Sequence, residues 1–453
     1  MKTSILIPSG VLGLGFDKAA LARGMEKKPD AICIDGGSTD SGPFYLGTGT
    51  SKYSEAVTRS EWKDLMVARA EANIPLIIGS CGTCGTRQTV DWMYKLTCEI
   101  ARELGQSFRI TRLYSDQDQT SLTQQLQTGN ISALPPLNDL QQETVQQCTN
   151  IVALAGVEQI NHALDSGADI ILAGRTTDTA IIAALPIQRG ADVGAAWHGA
   201  KIGECGALCS TNPTSGVIMI DFDEHGFTVQ PLADGACCTP HSVSAHMLYE
   251  NADPIELTEP GGCLNVSNAV YSAVDERCVR VVGSQWIPSD KYTVKLEGAG
   301  LCGYQTSALV LLRQQRYVEN ASLWCKQLST FLVQQITERT NIPSTDYSIE
   351  FRLIGIDATL GPLETKKALP NEVGVLMLVT AQSQSTATDI ARLCNPFLLH
   401  FPLTESESLP TFAFPYSPAE SERGAVYEFL LNHVLELEHP MDAFELVVED
   451  VKA

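Results

Sequence analysis

The chain has 453 residues, 44% of them hydrophobic and 19% charged, with a formal net charge of −22. This is a globular composition, and the length calls for one large α/β domain plus a second unit. So acidic a protein repels phosphate backbones, which sets nucleic acid aside, and an anionic small substrate would need a local positive site.

The opening MKTSILIPSG runs directly into a strand and a glycine turn. It lacks the apolar run and cleavage site of a secretory signal, and no stretch reaches the roughly 18–20 apolar residues of a spanning helix. A cytoplasmic protein without membrane association is expected. Its 14 cysteines are then mainly reduced core thiols.

Residues 1–212 repeat one rhythm, in which short apolar runs end in Gly, Ser or Asp and amphipathic stretches follow. SILIPSG leads to FDKAALARGM, DAICIDGG to EWKDLMVARAEAN, and IPLIIGS to TVDWMYKLTCEIARELG. FRITRLYSD precedes a Gln-rich helical stretch broken at Pro135–Pro136, and ADIILAGR leads to DTAIIAALPIQRG. Continuous apolar strands alternating with helices predict a parallel, Rossmann-like sheet covered on both faces, with ligands at the carboxyl ends of its strands. Residues 213–453 read differently. SGVIMIDFDEHGFTVQPL is a predicted hairpin, RCVRVVGSQW, KYTVKLEGAG, YSIEFRLIGID and EVGVLMLVTAQ are predicted strands, and STATDIARLCNPFLLH is a predicted helix. An α+β second domain with antiparallel strands is expected there, completing the cleft, and the last helix could return to the first domain.

Six stretches could carry chemistry. In IPSGVLGLGFD, Gly10, Gly13 and Gly15 are spaced unlike a dinucleotide fingerprint; they are either turn glycines or an anion site at a helix start. In IDGGSTDSGPFYLGTG, Asp35, Ser38, Thr39 and Asp40 crowd a strand end. Burying such groups unpaired costs about 1–3 kcal/mol each, so a substrate site is favoured over a loop with side-chain caps, with Asp35 or Asp40 as general base, or Ser38 and Thr39 as donors to a carboxylate. GSCGTCGT holds Cys81 and Cys84 among glycines. It reads as a redox dithiol, as part of a metal or iron–sulfur site with Cys33, as a backbone cradle in which Ser80 and Gly82 hold an anion, or as a structural turn. LAGRTTDTA offers Arg175 as a carboxylate clamp, with Thr177 and Asp178 as substrate contacts or helix caps. In AAWHGAKIGECGALC, His198, Lys201 and Cys205 can share a helical face, which could activate Cys205 or make Glu204 an acid/base; a surface charge network is the plain alternative. His241 and His246 are not spaced as a metal pair, and Lys295 and Glu297 alternate onto one face of a strand.

Together with LYENADPIELTEPGG and FAFPYSPAESERGAVYEF, these stretches resemble the acyclic terpene utilisation (AtuA) family over nearly the whole chain. Small residues stand in the family pattern where this chain has Cys81 and Cys84, so the thiols read as a local departure. The resemblance implies a place in the degradation of acyclic terpenes such as citronellol and geraniol, a hydration step on a branched glutaconyl-type CoA thioester, and a small companion protein.

The leading expectation is therefore a carbon–oxygen lyase, a hydratase or dehydratase acting on a small carboxylic acid or its CoA thioester. Asp35, Asp40 and Glu204 are the acid/base candidates. Arg175, Ser38, Thr39, Ser80, Gly82, Thr177 and Asp178 are the substrate contacts. No cofactor is required beyond CoA as part of a substrate, zinc or an iron–sulfur cluster is not expected, and a homo-oligomer is. The rivals are a partner-dependent subunit of a two-component enzyme and a dithiol or cluster protein using Cys81 and Cys84.

Overall fold

The computed structural model describes residues 2–366 and 368–452. They form two compact units, one of residues 1–300 with 429–453 and one of residues 301–428. The chain leaves the first unit within the strand Tyr292–Leu312 and re-enters it within Glu420–Leu437.

The first unit is built on a ten-stranded mixed sheet. Its centre is parallel, in the order Thr3–Ile7, Ala31–Asp35, Leu76–Gly79, Ile170–Ala173 and Phe108–Tyr114. The apolar runs explain this centre. Ala31–Asp35 and Leu76–Gly79 are buried at every residue, as a strand covered on both faces requires. Alternate side chains feed two cores. Ile5, Ile7, Cys33 and Ile77 pack with the helices Val157–Asp165, Ala180–Gln188 and Val193–Gly203. Leu6, Ile32, Ile34 and Leu76 pack with Lys18–Glu26, Glu55–Ala72 and Arg87–Leu104. Each buried Ile or Leu contributes roughly 1.5–3 kcal/mol, whereas a solvent-exposed ion pair such as Lys63–Glu103 is screened by water and contributes far less. The cores therefore hold the sheet together.

Both flanks of the sheet are antiparallel. The hairpin Ile218–Phe222/Gly226–Pro231 lies against Thr3–Ile7, in the register Thr3↔Phe222 to Ile7↔Ile218. At the other edge Glu445–Val451 pairs with Phe108–Tyr114. The division expected at 212/213 thus falls inside the first unit, because the predicted hairpin extends the parallel sheet. The chain's return is made by a strand, not by the last helix. Two smaller pieces position the site. A three-stranded sheet holds Glu256–Glu259, and the pairing of Asn150–Ala153 with the start of Tyr292–Leu312 sets Glu297 opposite Val152.

The second unit is the α+β piece. Tyr347–Ile354 and the later part of Tyr292–Leu312 flank Val373–Ala381, all antiparallel. The helices Ala321–Arg339 and Gln384–His400 supply a separate core around Trp324, Leu328, Met377 and Ile390. Among the described residues, no helix is long and apolar enough to cross a membrane.

Candidate active site

Three loops at the carboxyl ends of the parallel strands meet in the first unit, and Arg175 ties them together. Its Nε donates to Glu297 Oε2 at 2.9 Å, its Nη1 to Ser80 Oγ and to the Thr176 carbonyl, both at 3.1 Å, and its Nη2 to Thr39 Oγ1 at 3.4 Å. Glu297 also accepts from Lys295 Nζ at 2.8 Å and Thr39 Oγ1 at 3.2 Å. Although burial pushes the Glu297 carboxyl up, Arg175 and Lys295 outweigh it and hold the pKa at about 2. Arg175 is 6% exposed, and each of its three side-chain nitrogens donates to the protein. The carboxylate clamp expected of it is an internal one, closed on Glu297.

The turn after Leu76–Gly79 serves the same anchor. Ser80 and Thr83 take positive φ, 43° and 85°, with Gly82 and Gly85 at 61° and 62°. A β-branched residue such as Thr83 pays strain there, of order 1–3 kcal/mol. The close approach to Arg175 explains Gly85, where a Cβ would lie 2.2 Å from the Arg175 nitrogen. Two amides of the expected anion cradle are taken internally, as the Ser80 amide donates to the Gly174 carbonyl and the Cys81 amide to the Ala173 carbonyl. Cys81 and Cys84 are free, fully buried thiols. Burial raises both pKa values, that of Cys84 to about 12. Cys33, Cys81 and Cys84 belong to three separate apolar clusters. Among the described residues, no group of three or more His, Cys, Asp and Glu is arranged to hold a metal ion.

Beside this anchor opens a cleft of about 570 Å³, lined by Asp35, Ser38, Asp40, Asp178 and Glu204 among the expected residues. Asp35 is 3% exposed; Oδ2 accepts from the Gly37 amide at 3.0 Å, and Oδ1 has no hydrogen-bond partner. Burial, then the nearby Asp178 charge, raises its pKa well above the ordinary carboxyl range. Glu204 is buried against Lys201 Nζ, to which it is ion-paired. Burial dominates that attraction and Asp178 adds to it, so Glu204 is pushed up to about 8. Asp178 keeps 32% of its side chain open to solvent, which offsets part of the effect; burial still raises it, to about 6, against the pull of Arg175. Asp40 and Ser38 sit at the rim, where Ser38 Oγ accepts from the Asp40 amide at 3.1 Å. Thr177 caps Ala180 and meets Thr179, which donates to Glu259 Oε1 at 2.7 Å. Burial pushes Glu259 up to about 7.

Other expectations change. Lys201 and Glu204 form a buried pair, not a surface network. Cys205 lines the cleft, yet burial and the Glu204 charge keep it a thiol. His198 turns into the core, bonded to Ser284 Oγ at 2.8 Å and Tyr271 at 3.1 Å. His246 is buried, stacked on Tyr249, with Nε2 unpartnered, and burial lowers its pKa to about 4. The first glycine loop does hold an anion, but an internal one: the Gly13 amide donates to Glu61 Oε2 at 2.7 Å. Gly13 is required because a Cβ would lie 2.5 Å from the Tyr53 ring, which lines the cleft.

Sequence reasoning left Tyr53, Tyr249, Glu250 and Glu259 out of the site. Tyr249 and Glu250 also line the cleft, and Glu250 takes a positive φ of 58°. Their signal was the polar LYENADPIELTEPGG stretch, which carries no apolar period to explain it.

Searches of curated proteins and of solved structures return no match to the chain. The sequence profile of the acyclic terpene utilisation family protein AtuA matches residues 48–420, which include Asp178, Glu204 and Glu297 but begin after Asp35. With most of its length covered, the chain belongs to the AtuA family.

Proposed function

We propose that the chain is an acid–base enzyme that adds water to, or removes it from, a small acyl substrate in the cleft beside Arg175 and Glu297. The observation that carries this reading is Asp35, which lines the cleft and whose buried Oδ1 has no hydrogen-bond partner. An unpaired buried carboxylate is costly, and such a cost persists where a ligand or a reaction uses the group. Glu204 supports the reading. With a pKa near 8, it enters a reaction at neutral pH carrying a proton.

In the hydration direction Asp35, in its ionised form, takes a proton from water as the water oxygen bonds to the β carbon of an unsaturated acyl group; the raised pKa makes it a strong base once ionised. Glu204 delivers its proton to the α carbon. In the reverse direction Asp35 protonates the departing hydroxyl and Glu204, its carboxylate stabilised by Lys201, removes the α proton. Tyr53 serves as a donor to the acyl oxygen, because burial and Asp35 raise its pKa and keep it a phenol. Membership of a family named for terpene utilisation fits a branched acyl substrate. CoA would enter only as part of that substrate.

The test is exchange of the α hydrogen with deuterated solvent in branched 3-hydroxyacyl and 2-enoyl thioesters, followed by NMR. Exchange in the wild type, lost about 10²-fold or more in Asp35→Asn and Glu204→Gln, is the expected result. Exchange unaffected by both substitutions would remove the reading.

A further inference from the structure

The charges around the cleft bear on what can enter it. Asp35, Asp40, Asp178, Glu204 and Glu250 line it, and of the described lining residues Lys52 alone is a cation. Lys52 is exposed, its Nζ 3.4 Å from Ser41 Oγ at the rim. The two buried cations nearby are already engaged, Lys201 with Glu204 and Arg175 with Glu297. A bare carboxylate placed inside the cleft would thus face Asp35, Asp40 and Asp178, with Lys52 a cation at the rim only. Like charges brought together away from water repel strongly. Asp35 Oδ1, 3% exposed as a residue and without a partner, is instead an acceptor awaiting a donor.

We infer that the substrate group seated on Asp35 is a hydrogen-bond donor without negative charge, a hydroxyl or an ammonium, and that the acyl group enters the cleft uncharged. This rests on the acid–base reading for the location of the site and narrows it to a ligand class. It reverses the expectation of an anionic substrate at these residues. A free carboxylic acid is rejected by repulsion from Asp178 and Asp40, and its ester, thioester or amide is admitted. Discrimination of this kind comes from the repulsive element as much as from the contact to Asp35.

Three probes of one shape test it: 3-hydroxybutanoate, its methyl ester, and the methyl ester of 3-aminobutanoate, titrated at pH 7 by calorimetry or ligand-detected NMR. The ester or the amine should bind at least about tenfold tighter than the free acid, a difference of about 1.4 kcal/mol. The tighter of the two identifies the donor as hydroxyl or ammonium. Asp35→Asn should weaken the favoured probe about fivefold or more, by loss of a charge-assisted hydrogen bond. Asp40→Asn, at the rim and without a role in packing, should strengthen binding of the acid. The inference is overturned if the acid binds as tightly as the ester and the amine, if Asp35→Asn leaves the favoured probe unchanged, or if none of the three binds. Failure of the acid–base reading shows elsewhere, as absent α-hydrogen exchange in a protein that still binds the uncharged probe.

Discussion

Glu297 and Glu204 are both buried glutamates of the same unit, and their surroundings drive them in opposite directions. Glu297 has two cations and a threonine around it and is held near a pKa of 2. Glu204 has one cation and several acids and is pushed to about 8. The contrast separates two tasks. Around Glu297 each named group is satisfied, which locks the loops of residues 39, 80 and 175 in place. At the cleft floor a carboxylate oxygen goes unpaired and protons are held near neutrality, which suits chemistry and not stability.

The comparison breaks most visibly in activity. Glu204→Gln should cost about 10²–10⁴-fold in α-hydrogen exchange. It strands Lys201, yet it also removes a carboxyl that burial disfavours, so its loss of denaturant midpoint should be smaller than that of an anchor substitution. A loss of midpoint comparable to that of an anchor substitution would erase the distinction. Next comes the anchor itself. Glu297→Gln should destabilise the first unit by about 3–5 kcal/mol, because it strands Arg175. In Arg175→Met/Glu297→Leu much of that loss should return, measured by a double-mutant cycle in urea.

The two regions also have opposite pH signatures. The pKa of Glu297 is depressed, so its stabilisation is complete above the unfolded value of about 4.5 and is lost as pH falls towards 2. Glu204, Asp178 and Glu259 are raised, so between about 4.5 and 8 the folded state binds more protons than the unfolded one, and stability falls as pH rises. Melting curves from pH 5 to 8.5 should show that decline, and Glu204→Gln should flatten it above pH 6. The smallest effect belongs to the cysteines. Cys81→Ala should cost about 1 kcal/mol by loss of packing, with α-hydrogen exchange unchanged. A loss of exchange would return the thiol to the chemistry.

The parallel centre of the sheet was legible because strands buried on both faces are apolar throughout, and Ala31–Asp35 and Leu76–Gly79 show this directly. The extent of the first unit was not. The pairing of Ile218–Phe222 with Thr3–Ile7 joins residues over 200 positions apart, and nothing local in the hairpin specifies its neighbour. The same limit governed the site. Asp35, Asp178 and Glu204 stood out as polar groups just after apolar runs, and they share one cleft. Arg175 stood out too, but its partner lies 122 residues along the chain. A cation without a visible counterion reads as a free clamp. Likewise the glycines of the first loop looked vacant, because Glu61, which occupies them, comes 48 residues later.

The central claim is that Glu204 carries a proton at neutral pH. Infrared difference spectra of the wild type against Glu204→Gln, followed from pH 5 to 10, test it most directly. A protonated-carboxyl band that is present at pH 7, absent from the variant and lost with a midpoint near 8 is the predicted result. A group that titrates near the ordinary glutamate value, with no such band at pH 7, would contradict it.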